Sequence, residues 1–368
     1  LFIQRAVNLL ALQGNFSFIT PTTWLNNEHY IKLRQWLIEC CELKRIGNYR
    51  DINVFPEATV LPIVLVASRK YDPHKTALFQ VDNFVSEHKS LPLQTSVENW
   101  TLYSDLIFNL YASASELKLT QKLDEVSHPV ERLCRVGFGV KVYQRGKGIP
   151  PQTGEEAPQR LFESREKLDE TYYPYVRGKD VDRWMIEDDL AWLRYGSHIA
   201  EPRDLDLFTG QRLLIRRIVG DRLVINAVSD TLIADQLLHT AKPENLSYDF
   251  RFLAAALSSK LVSFYFKTRF NRTEETFPEI RVGELNQLPI RRISFTTPTD
   301  RRTALVAQAR DLYVRSERDS TGDLLTFTAQ RLAADETDVI HDLLAFLAQQ
   351  MIDLNKQKQA EVKRFLGW

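Results

Sequence analysis

Basic side chains recur in short clusters through the middle of the sequence, often beside glycine or aromatic residues. Arginine and lysine neutralise phosphates, and arginine also reads base edges in a DNA groove, so such clusters can fix a protein on a double helix. The candidate contacts are Lys141, Arg145, Lys147, Arg177, Lys179, Arg194, Tyr195, Arg216, Arg217, Arg222, Lys267, Arg269 and Arg272. The alternative is ordinary surface charge, because Asp180, Asp182 and the acidic run at 187–189 lie close enough in sequence to pair with them.

Two sequence patterns that suggest catalysis are better explained without it. Gly196-Ser197-His198 sets a nucleophile beside a base, but neighbouring residues on a strand point to opposite faces and cannot form a catalytic pair. The seven histidines and the acidic run at 187–189 lack the spacing of metal ligands. We therefore expect no catalytic residue and no metal site in this chain.

The composition is that of a folded protein with more than one domain. At 368 residues, with 44% hydrophobic and 26% charged residues, the chain is long enough for two or three domains. Its 48 basic and 48 acidic side chains cancel, so any DNA site has to be local. The longest apolar run, 60–67, is too short to cross a bilayer, and Gln4 and Arg5 interrupt the apolar stretch at 1–12, so we expect neither a secretory signal nor a membrane partner.

The cysteines indicate a reducing environment. Cys40 and Cys41 are adjacent and Cys134 stands alone, which gives neither a disulfide framework nor a metal-ligand pattern. We therefore expect a cytoplasmic protein, and nothing in the pattern favours one oligomeric state. The sequence opens at Leu1 inside a helical pattern and without an initiator methionine, which suggests a fragment of a longer protein.

The predicted elements change character along the chain. Through residue 71, helical spacing alternates with short apolar strands, and one helix is predicted to begin at Thr20-Pro21-Thr22, as in an open sheet covered by helices. Further on, the short strands predicted at 213–218 and 223–228 flank a turn at Gly220-Asp221 and predict a hairpin, and a helix is predicted from Asp249 to about Phe266. After residue 298 the pattern is helical again.

Two series of motifs resemble the Taq-type family of adenine-N6 DNA methyltransferases, whose members include restriction-modification and phage-defence enzymes. The first series follows the family's catalytic loop in order and consists of GNFSFITPTTWL (14–25), LRQWL (33–37) and VFPEATV (54–60). The second resembles the family's specificity domain and consists of RGKDV (177–181), YGSHIAEPR (195–203), RLLIRRI (212–218), LSSKL (257–261), FPEI (277–280) and LPI (288–290).

The resemblance implies an α/β fold in four parts. A C-terminal remnant of a Rossmann-like methyltransferase sheet would occupy 1–71, a connecting segment 72–130, a mixed α/β target-recognition domain 131–293, and a helical C-terminal segment 294–368. The family's Asn-Pro-Pro-Tyr or Asp-Pro-Pro-Tyr loop and its glycine-rich loop for S-adenosylmethionine are missing from the sequence. The parent protein would therefore bind S-adenosylmethionine, whereas this chain would bind no cofactor and would not methylate DNA by itself.

The implied function is recognition of a specific double-stranded DNA sequence for a site-specific adenine-N6 methyltransferase of a restriction-modification system. By the resemblance Phe55 stacks on the extruded adenine, although a core phenylalanine ahead of a buried strand is the alternative. Two other classes stay open. A non-enzymatic interaction protein is favoured by the zero net charge and the apolar stripe at 339–354, and a nuclease subunit would need residues that cut DNA from outside this chain.

Overall fold

The computed structural model describes residues 2–57, 60–72, 77–86, 88–272, 278–316 and 322–367. The chain forms two compact units. The first comprises Leu1–Glu125 and Phe264–Glu275, and the second comprises Val126–Ser263 and Thr276–Trp368.

The first unit is a mixed sheet with helices. Its elements are α1 (Phe2–Leu9), β1 (Asn15–Pro21), α2 (Ile31–Cys40), β2 (Cys41–Asn48), β3 (Pro62–Arg69), β4 (Phe79–Ser86), β5 (Lys89–Thr95) and α3 (Ala114–Glu125). The strand order is β1-β3-β2-β4-β5, and only the β2–β4 pair is parallel. Two strands of this sheet thus lie in the stretch 72–130, which the sequence indicated only as a connection.

Alternating burial along β3 shows how the sequence specifies this core. Ile63, Leu65 and Ala67 are completely buried, as expected when every second side chain of a strand faces the same side. At one end of the core the ring of Trp100 stacks on Phe108, with centroids 4.1 Å apart.

The helix predicted to begin at Thr20-Pro21-Thr22 starts later. Strand β1 continues to Pro21, 3-10 turns follow at Thr22–Leu25 and Glu28–Tyr30, and α2 begins only at Ile31. Asn27 begins the second of these turns, because its side chain accepts a hydrogen bond from the amide of His29 at 2.9 Å. Asparagine competes with helical hydrogen bonding in this way, so the regular helix begins only after these turns.

The second unit combines small sheets with helices. Its strands are β6 (Ser127–Pro129), β7 (Cys134–Phe138), β8 (Glu163–Ser164), β9 (Tyr172–Val176), β10 (Val181–Asp182), β11 (Met185–Ile186), β12 (Ala191–Arg194), β13 (Arg212–Arg216), β14 (Ile225–Val228), β15 (Ile233–Ala234), β16 (Leu238–Pro243) and β17 (Pro289–Arg291). Its helices are α4 (Glu156–Gln159), α5 (Phe250–Leu257), α6 (Lys260–Arg269), α7 (Val282–Asn286), α8 (Thr299–Ser316), α9 (Gly322–Ala333) and α10 (Thr337–Leu366). The last six residues of α6 belong to the first unit.

Two four-stranded sheets carry most of the middle of this unit, with orders β15-β9-β12-β8 and β14-β13-β16-β7. The hairpin predicted around Gly220-Asp221 is confirmed, since β13 and β14 pair antiparallel from Arg212 opposite Val228. The single helix predicted from Asp249 is two helices. Ser259 begins the second one, because its side chain accepts a hydrogen bond from the amide of Val262 at 3.1 Å.

Three helices, α8, α9 and α10, form the C-terminal part and enclose a core of their own around Val306, Phe327, Val339 and Leu343. The predicted fold class, α/β with a helical C-terminal part, is confirmed. Over the residues described, no helix has the length and apolar character that crossing a membrane requires.

Candidate nucleic-acid interface

One loop of the second unit, residues 144–152, carries the clearest candidate surface, and we call it the basic loop. Its backbone folds back on itself. The amide of Gly146 donates to the carbonyl of Gln152, and the amide of Gln152 donates to the carbonyl of Lys147, both over 2.8 Å. The loop is therefore closed by its own main chain.

Gln152 fixes this loop to its surroundings with three further hydrogen bonds. Its side chain accepts from the amide of Gln144 at 2.8 Å and donates to the carbonyls of Val142 and His198 at 2.9 and 2.8 Å. The residue is only 5% exposed. A buried amide whose donors and acceptor are all used in this way holds a single loop geometry, because any other geometry leaves buried polar atoms unpaired.

Close packing against a neighbouring segment adds to that constraint. The amide of Ile149 donates to the carbonyl of Ser197 over 2.8 Å. Gly148 has φ of +84°, and a β-carbon there would lie 2.4 Å from the carbonyl oxygen of His198. Only glycine fits this position, so the tip of the basic loop lies directly on residues 197–198.

The basic loop displays two cations and one apolar side chain to solvent. Arg145 and Lys147 are exposed, and neither side chain has an ion-pair or hydrogen-bond partner among the described residues. Between them and the loop's end, Ile149 is 73% exposed. The arrangement offers positive charge and an apolar contact from one rigid element.

Aromatic rings lie behind the basic loop. The guanidinium of Arg194, at the end of β12, lies 5.5 Å from the ring centre of Phe162. Phe162 stacks on Tyr143 with centroids 5.4 Å apart and meets the ring of His198 edge-on at 4.5 Å. Through His198, Arg194 therefore belongs to the same surface as the basic loop.

His198 has no catalytic partner in the sequence triplet Gly196-Ser197-His198. Its Nε2 lies 2.9 Å from the carbonyl of Arg194, which can only accept, so Nε2 carries the proton. Burial, and then the nearby charge of Arg194, lower the pKa of His198 below its ordinary value, against the opposing effect of that hydrogen bond. The imidazole is therefore neutral at pH 7, and its described contacts are structural.

A second group of predicted contacts lies around the turn after β9. Gly178 packs against Leu237, and the amide of Gly178 donates to the buried carboxylate of Asp235 at 3.2 Å. Lys179 is exposed here and has no partner among the described residues. Arg177, in contrast, pairs with Asp180 at 3.2 Å and with Glu163 at 3.6 Å.

The arginines of the β13 hairpin differ in what they contact. Arg216 donates to the carbonyl of Val181 at 3.4 Å, whereas Arg217 donates to the carbonyl of Gln236 at 2.6 Å and pairs with Glu279. Arg222 is half-buried, and its side chain has no partner within the described part of the chain.

Arg212, which the sequence places in the same cluster, is completely buried. It donates to the carbonyls of Gly210 and Leu232 at 2.8 and 3.2 Å, and burial lowers its pKa to about 10. This arginine is a core residue, because β13 is buried on both faces and Leu213, Leu214 and Ile215 are all fully buried as well.

Three predicted contacts belong to the first unit. Arg269 is 6% exposed, pairs with Asp105 at 3.0 Å, and lies 3.5 Å from the ring centre of Tyr103. Arg272 is also buried, and Lys267 is half-buried. Because Arg269 and Arg272 are buried, their side chains contribute to the packing of the first unit.

The remaining predicted residues take separate positions. Tyr195 donates its hydroxyl to the carbonyl of Arg203 and accepts from the amide of the same residue at 3.1 Å. Lys141 is half-buried and bridges to Glu201 through its backbone. Phe55 lies in the loop after β2 and is 41% exposed, so it is not the core phenylalanine of the alternative interpretation. Its stacking role stays a prediction.

A cleft of about 580 Å³ in the second unit brings together cations that the sequence left apart. Arg160, Arg165 and Arg177 line it, together with Glu163 and Asp189. Glu163 lies within 4.0 Å of both Arg160 and Arg177, so two of the three arginines already have a carboxylate neighbour. The cleft is consequently less suited to an anion than the basic loop.

No cluster of three potential metal ligands occurs within the described ranges. The glycines of the first unit also offer no cradle for a nucleotide-like cofactor. A β-carbon at Gly14 would lie 2.9 Å from the carbonyl oxygen of Ala11, and one at Gly47 would lie 3.0 Å from the ring of Tyr49. Both glycines are thus enclosed by their own unit, and neither forms an open glycine-rich loop.

Sequence reasoning missed Gln152, Ile149 and Phe162 as parts of the surface. An isolated glutamine next to Pro151 has no periodic signal, and its role appears only when the loop is folded. The glycines at 146 and 148 were the available clue, because paired glycines in a basic segment mark a tight loop.

Comparison with known proteins agrees with the motif resemblance. Residues 173–290 match the sequence model of the TaqI-like C-terminal specificity domain, and residues 1–55 match that of the Eco57I restriction-modification methylase. No curated protein matches the chain.

Several solved structures of restriction-modification proteins align with the chain at low identity. The type IIG restriction endonuclease BpuSI is 12% identical, with 94% of this chain and 48% of that chain covered and a TM-score of 0.37. The type IIL enzyme MmeI, solved in complex with DNA, is 12% identical, with 96% and 51% covered and a TM-score of 0.47. A type I S subunit from M. genitalium is 13% identical, with 52% and 39% covered and a TM-score of 0.26.

The chain spans about half the length of the first two of these structures. By these sequence matches, residues 173–290 are similar to the TaqI-like C-terminal specificity domain and residues 1–55 are similar to the Eco57I restriction-modification methylase.

Proposed function

We propose that this chain recognises a specific double-stranded DNA sequence on behalf of a site-specific adenine-N6 DNA methyltransferase of a restriction-modification system. The observation that carries the proposal is the set of unpaired cations in the unit that contains the specificity domain. Arg145, Lys147 and Lys179 are exposed and have no carboxylate partner within the described residues. Phosphate contact requires such free cations. Because the net charge of the chain is zero, attraction to DNA has to come from these local cations.

The catalytic part of the reaction lies outside these residues in this proposal. The match of residues 1–55 to a methylase supports a parent enzyme that uses S-adenosylmethionine, and the enclosed glycines of the first unit support a cofactor site elsewhere. The parent would bind the cofactor and transfer its methyl group. This chain would select the DNA site and present one adenine, with Phe55 placed to stack on it.

The test is a binding selection with the purified chain and a pool of randomised duplexes, followed by affinity measurements at several salt concentrations. We expect one preferred sequence that binds at least about a thousandfold more tightly than random duplex, as specific DNA-binding proteins do. Equal binding of all sequences, or none at about 50 mM salt, would contradict the proposal.

A methyl-transfer assay on the same preparation tests whether this chain recognises DNA without transferring a methyl group. We expect no transfer above background with S-adenosylmethionine and the preferred duplex. Transfer by this chain alone would place the catalytic centre within it and would overturn that part of the proposal.

A further inference from the structure

The basic loop lies outside the segment matched as a specificity domain, yet it packs on that segment. The match begins at residue 173, whereas the loop covers 144–152. Its contacts are with Ser197 and His198, inside the matched segment, through the hydrogen bonds from Ile149 and Gln152. The family assignment therefore says nothing about what this loop does.

The loop combines a fixed backbone geometry with exposed basic and apolar side chains. Gln152, with all of its hydrogen-bonding atoms used inside the protein, holds the loop in one geometry. At the same time the loop exposes Arg145, Lys147 and Ile149, which is 73% exposed. Because most of the isoleucine side chain stays in water, its burial contributes little to the stability of the loop.

We propose that the basic loop is a sequence-reading element, with Ile149 as an apolar contact to the bases, Arg145 and Lys147 on the flanking phosphates, and Gln152 as the residue that positions them. This inference rests on the proposed function, since it names the part of the protein that touches the duplex. Isoleucine suits either the methyl group of thymine in the major groove or a base step opened in the minor groove.

Duplex DNA fits the loop better than an apolar protein partner. Lys147 lies two residues before the exposed Ile149 and Arg145 lies four residues before it. Both cations would have to be desolvated against an apolar surface, which is costly without a counter-charge. The phosphates on each side of a groove supply that charge, while the bases between them supply the apolar surface.

The decisive variant is Ile149→Ala, because an exposed side chain can be shortened without loss of folding. The preferred duplex is first selected with the unaltered chain, and the selection is then repeated with the variant. We expect Ile149→Ala to weaken binding of the preferred duplex about tenfold, as one lost base contact does. It should flatten the preference at one or two adjacent base pairs and leave binding to random duplex within twofold.

Matched controls separate the loop from general effects. Leu246→Ala removes another exposed aliphatic side chain of the same unit and should leave the selected sequence unchanged. Arg145→Gln and Lys147→Gln should weaken binding to preferred and random duplex alike, because phosphate contacts carry no sequence information. Lys118→Gln, which removes an exposed lysine on α3, should change neither.

Gln152 is tested as a positioning residue with Gln152→Glu. The glutamate keeps the size of the side chain but replaces the amide that donates to the carbonyls of Val142 and His198. We expect the preference to flatten at the same base pairs as in Ile149→Ala, and the double variant to bind no more weakly than the weaker single variant. An effect of Gln152 on folding alone would instead add to that of Ile149 and spread over all sequences.

The outcomes distinguish the two proposals. If the unaltered chain selects no sequence, the proposed function fails. If it selects a sequence and Ile149→Ala selects the same one with equal affinity, the basic loop does not read DNA while the proposed function stands. The second result overturns the inference even if Gln152→Glu does not fold.

Discussion

Asp235 is the buried carboxylate whose surroundings set a pH dependence. Burial raises its pKa to about 6 from an ordinary value of 3.8, and the charge of Asp180 adds to this rise. Hydrogen bonds from the amides of Leu237 and Gly178 act in the opposite direction. Because the folded state binds this proton more tightly, the stabilising contribution is complete below pH 3.8 and is lost as the pH rises through about 6.

The substitution Asp235→Asn should therefore stabilise the protein in neutral and alkaline solution. The asparagine oxygen still accepts from both amides, but no buried charge forms. We expect the free energy of unfolding at pH 8 to rise by about 1–3 kcal/mol, and its decline between pH 4 and pH 7 to become shallower. Urea denaturation at pH 5 and pH 8 measures the free energy of unfolding of both proteins. An equal change in this free energy between the two pH values in both proteins would refute the prediction.

Arg269 is a predicted DNA contact whose side chain is instead buried within the first unit. Its guanidinium is 6% exposed, pairs with Asp105 and covers the ring of Tyr103. Arg269→Ala should lower the free energy of unfolding by about 3 kcal/mol, because it leaves a partly buried carboxylate without its partner. Chemical denaturation gives this value.

The control for Arg269 is Arg222→Ala, which removes a half-buried arginine without a partner in the described part of the chain. It should change stability by less than about 0.5 kcal/mol. DNA binding by folded Arg269→Ala protein should equal that of the unaltered chain. A selective loss of DNA affinity with unchanged stability would return Arg269 to the set of DNA contacts.

At the scale of elements, the three C-terminal helices depend on a small core of their own. Leu343 of α10 is almost fully buried against Val306, Phe327 and Val339. Leu343→Ala should cost about 2–4 kcal/mol through lost burial and the cavity left behind. Met351→Ala, an exposed position on the same helix, should cost less than about 0.5 kcal/mol. Thermal unfolding of both variants, followed by far-UV circular dichroism, makes the comparison.

The elements also show what the sequence predicts well. The apolar segments 213–218 and 223–228 on either side of Gly220-Asp221 predict the β13–β14 hairpin, since a turn between two short strands is a local feature of the sequence. The helix predicted to begin at Thr20-Pro21-Thr22 is placed too early, because the apolar spacing does not reveal the hydrogen bond that Asn27 forms with the amide of His29. The strands β4 and β5 were missed since their pairing with β2 and with each other depends on contacts far apart in the chain.

The candidate surface was predictable only in its charges. Arg145, Lys147 and Lys179 could be chosen from the sequence, but nothing in it distinguished them from Arg177 or Arg269. That distinction depends on which carboxylates fold next to each guanidinium. Gln152 had no signal because its three partners come from segments that meet only in the fold.

At the scale of the whole molecule, the balance of basic and acidic side chains limits how strongly DNA binding depends on salt concentration. The chain carries 48 basic and 48 acidic side chains, so its long-range attraction to DNA is weak. The cations of the predicted set whose side chains have neither a hydrogen bond nor an ion pair among the described residues set the upper limit of phosphate contacts: Lys141, Arg145, Lys147, Lys179, Arg194 and Arg222.

We therefore expect the logarithm of the binding constant to fall with the logarithm of salt concentration with a slope of about −3 to −5. Arg145→Gln should make that slope shallower by about one. Fluorescence anisotropy between about 50 and 300 mM salt measures both. A slope steeper than about −7 would show that cations counted here as paired also contact the backbone.

Helix α6 begins in one compact unit and ends in the other, and the chain returns to the second unit after Glu275. A recombinant exchange of recognition modules that cuts only near residues 126 and 293 would therefore carry a foreign 264–275 into the first unit. The ion pair of Arg269 with Asp105 and the hydrogen bond from Tyr265 to Asp124 would then be lost unless the exchanged segment carried the same two residues. Chimeras that leave 264–275 from the recipient in place should express better than simple two-cut swaps.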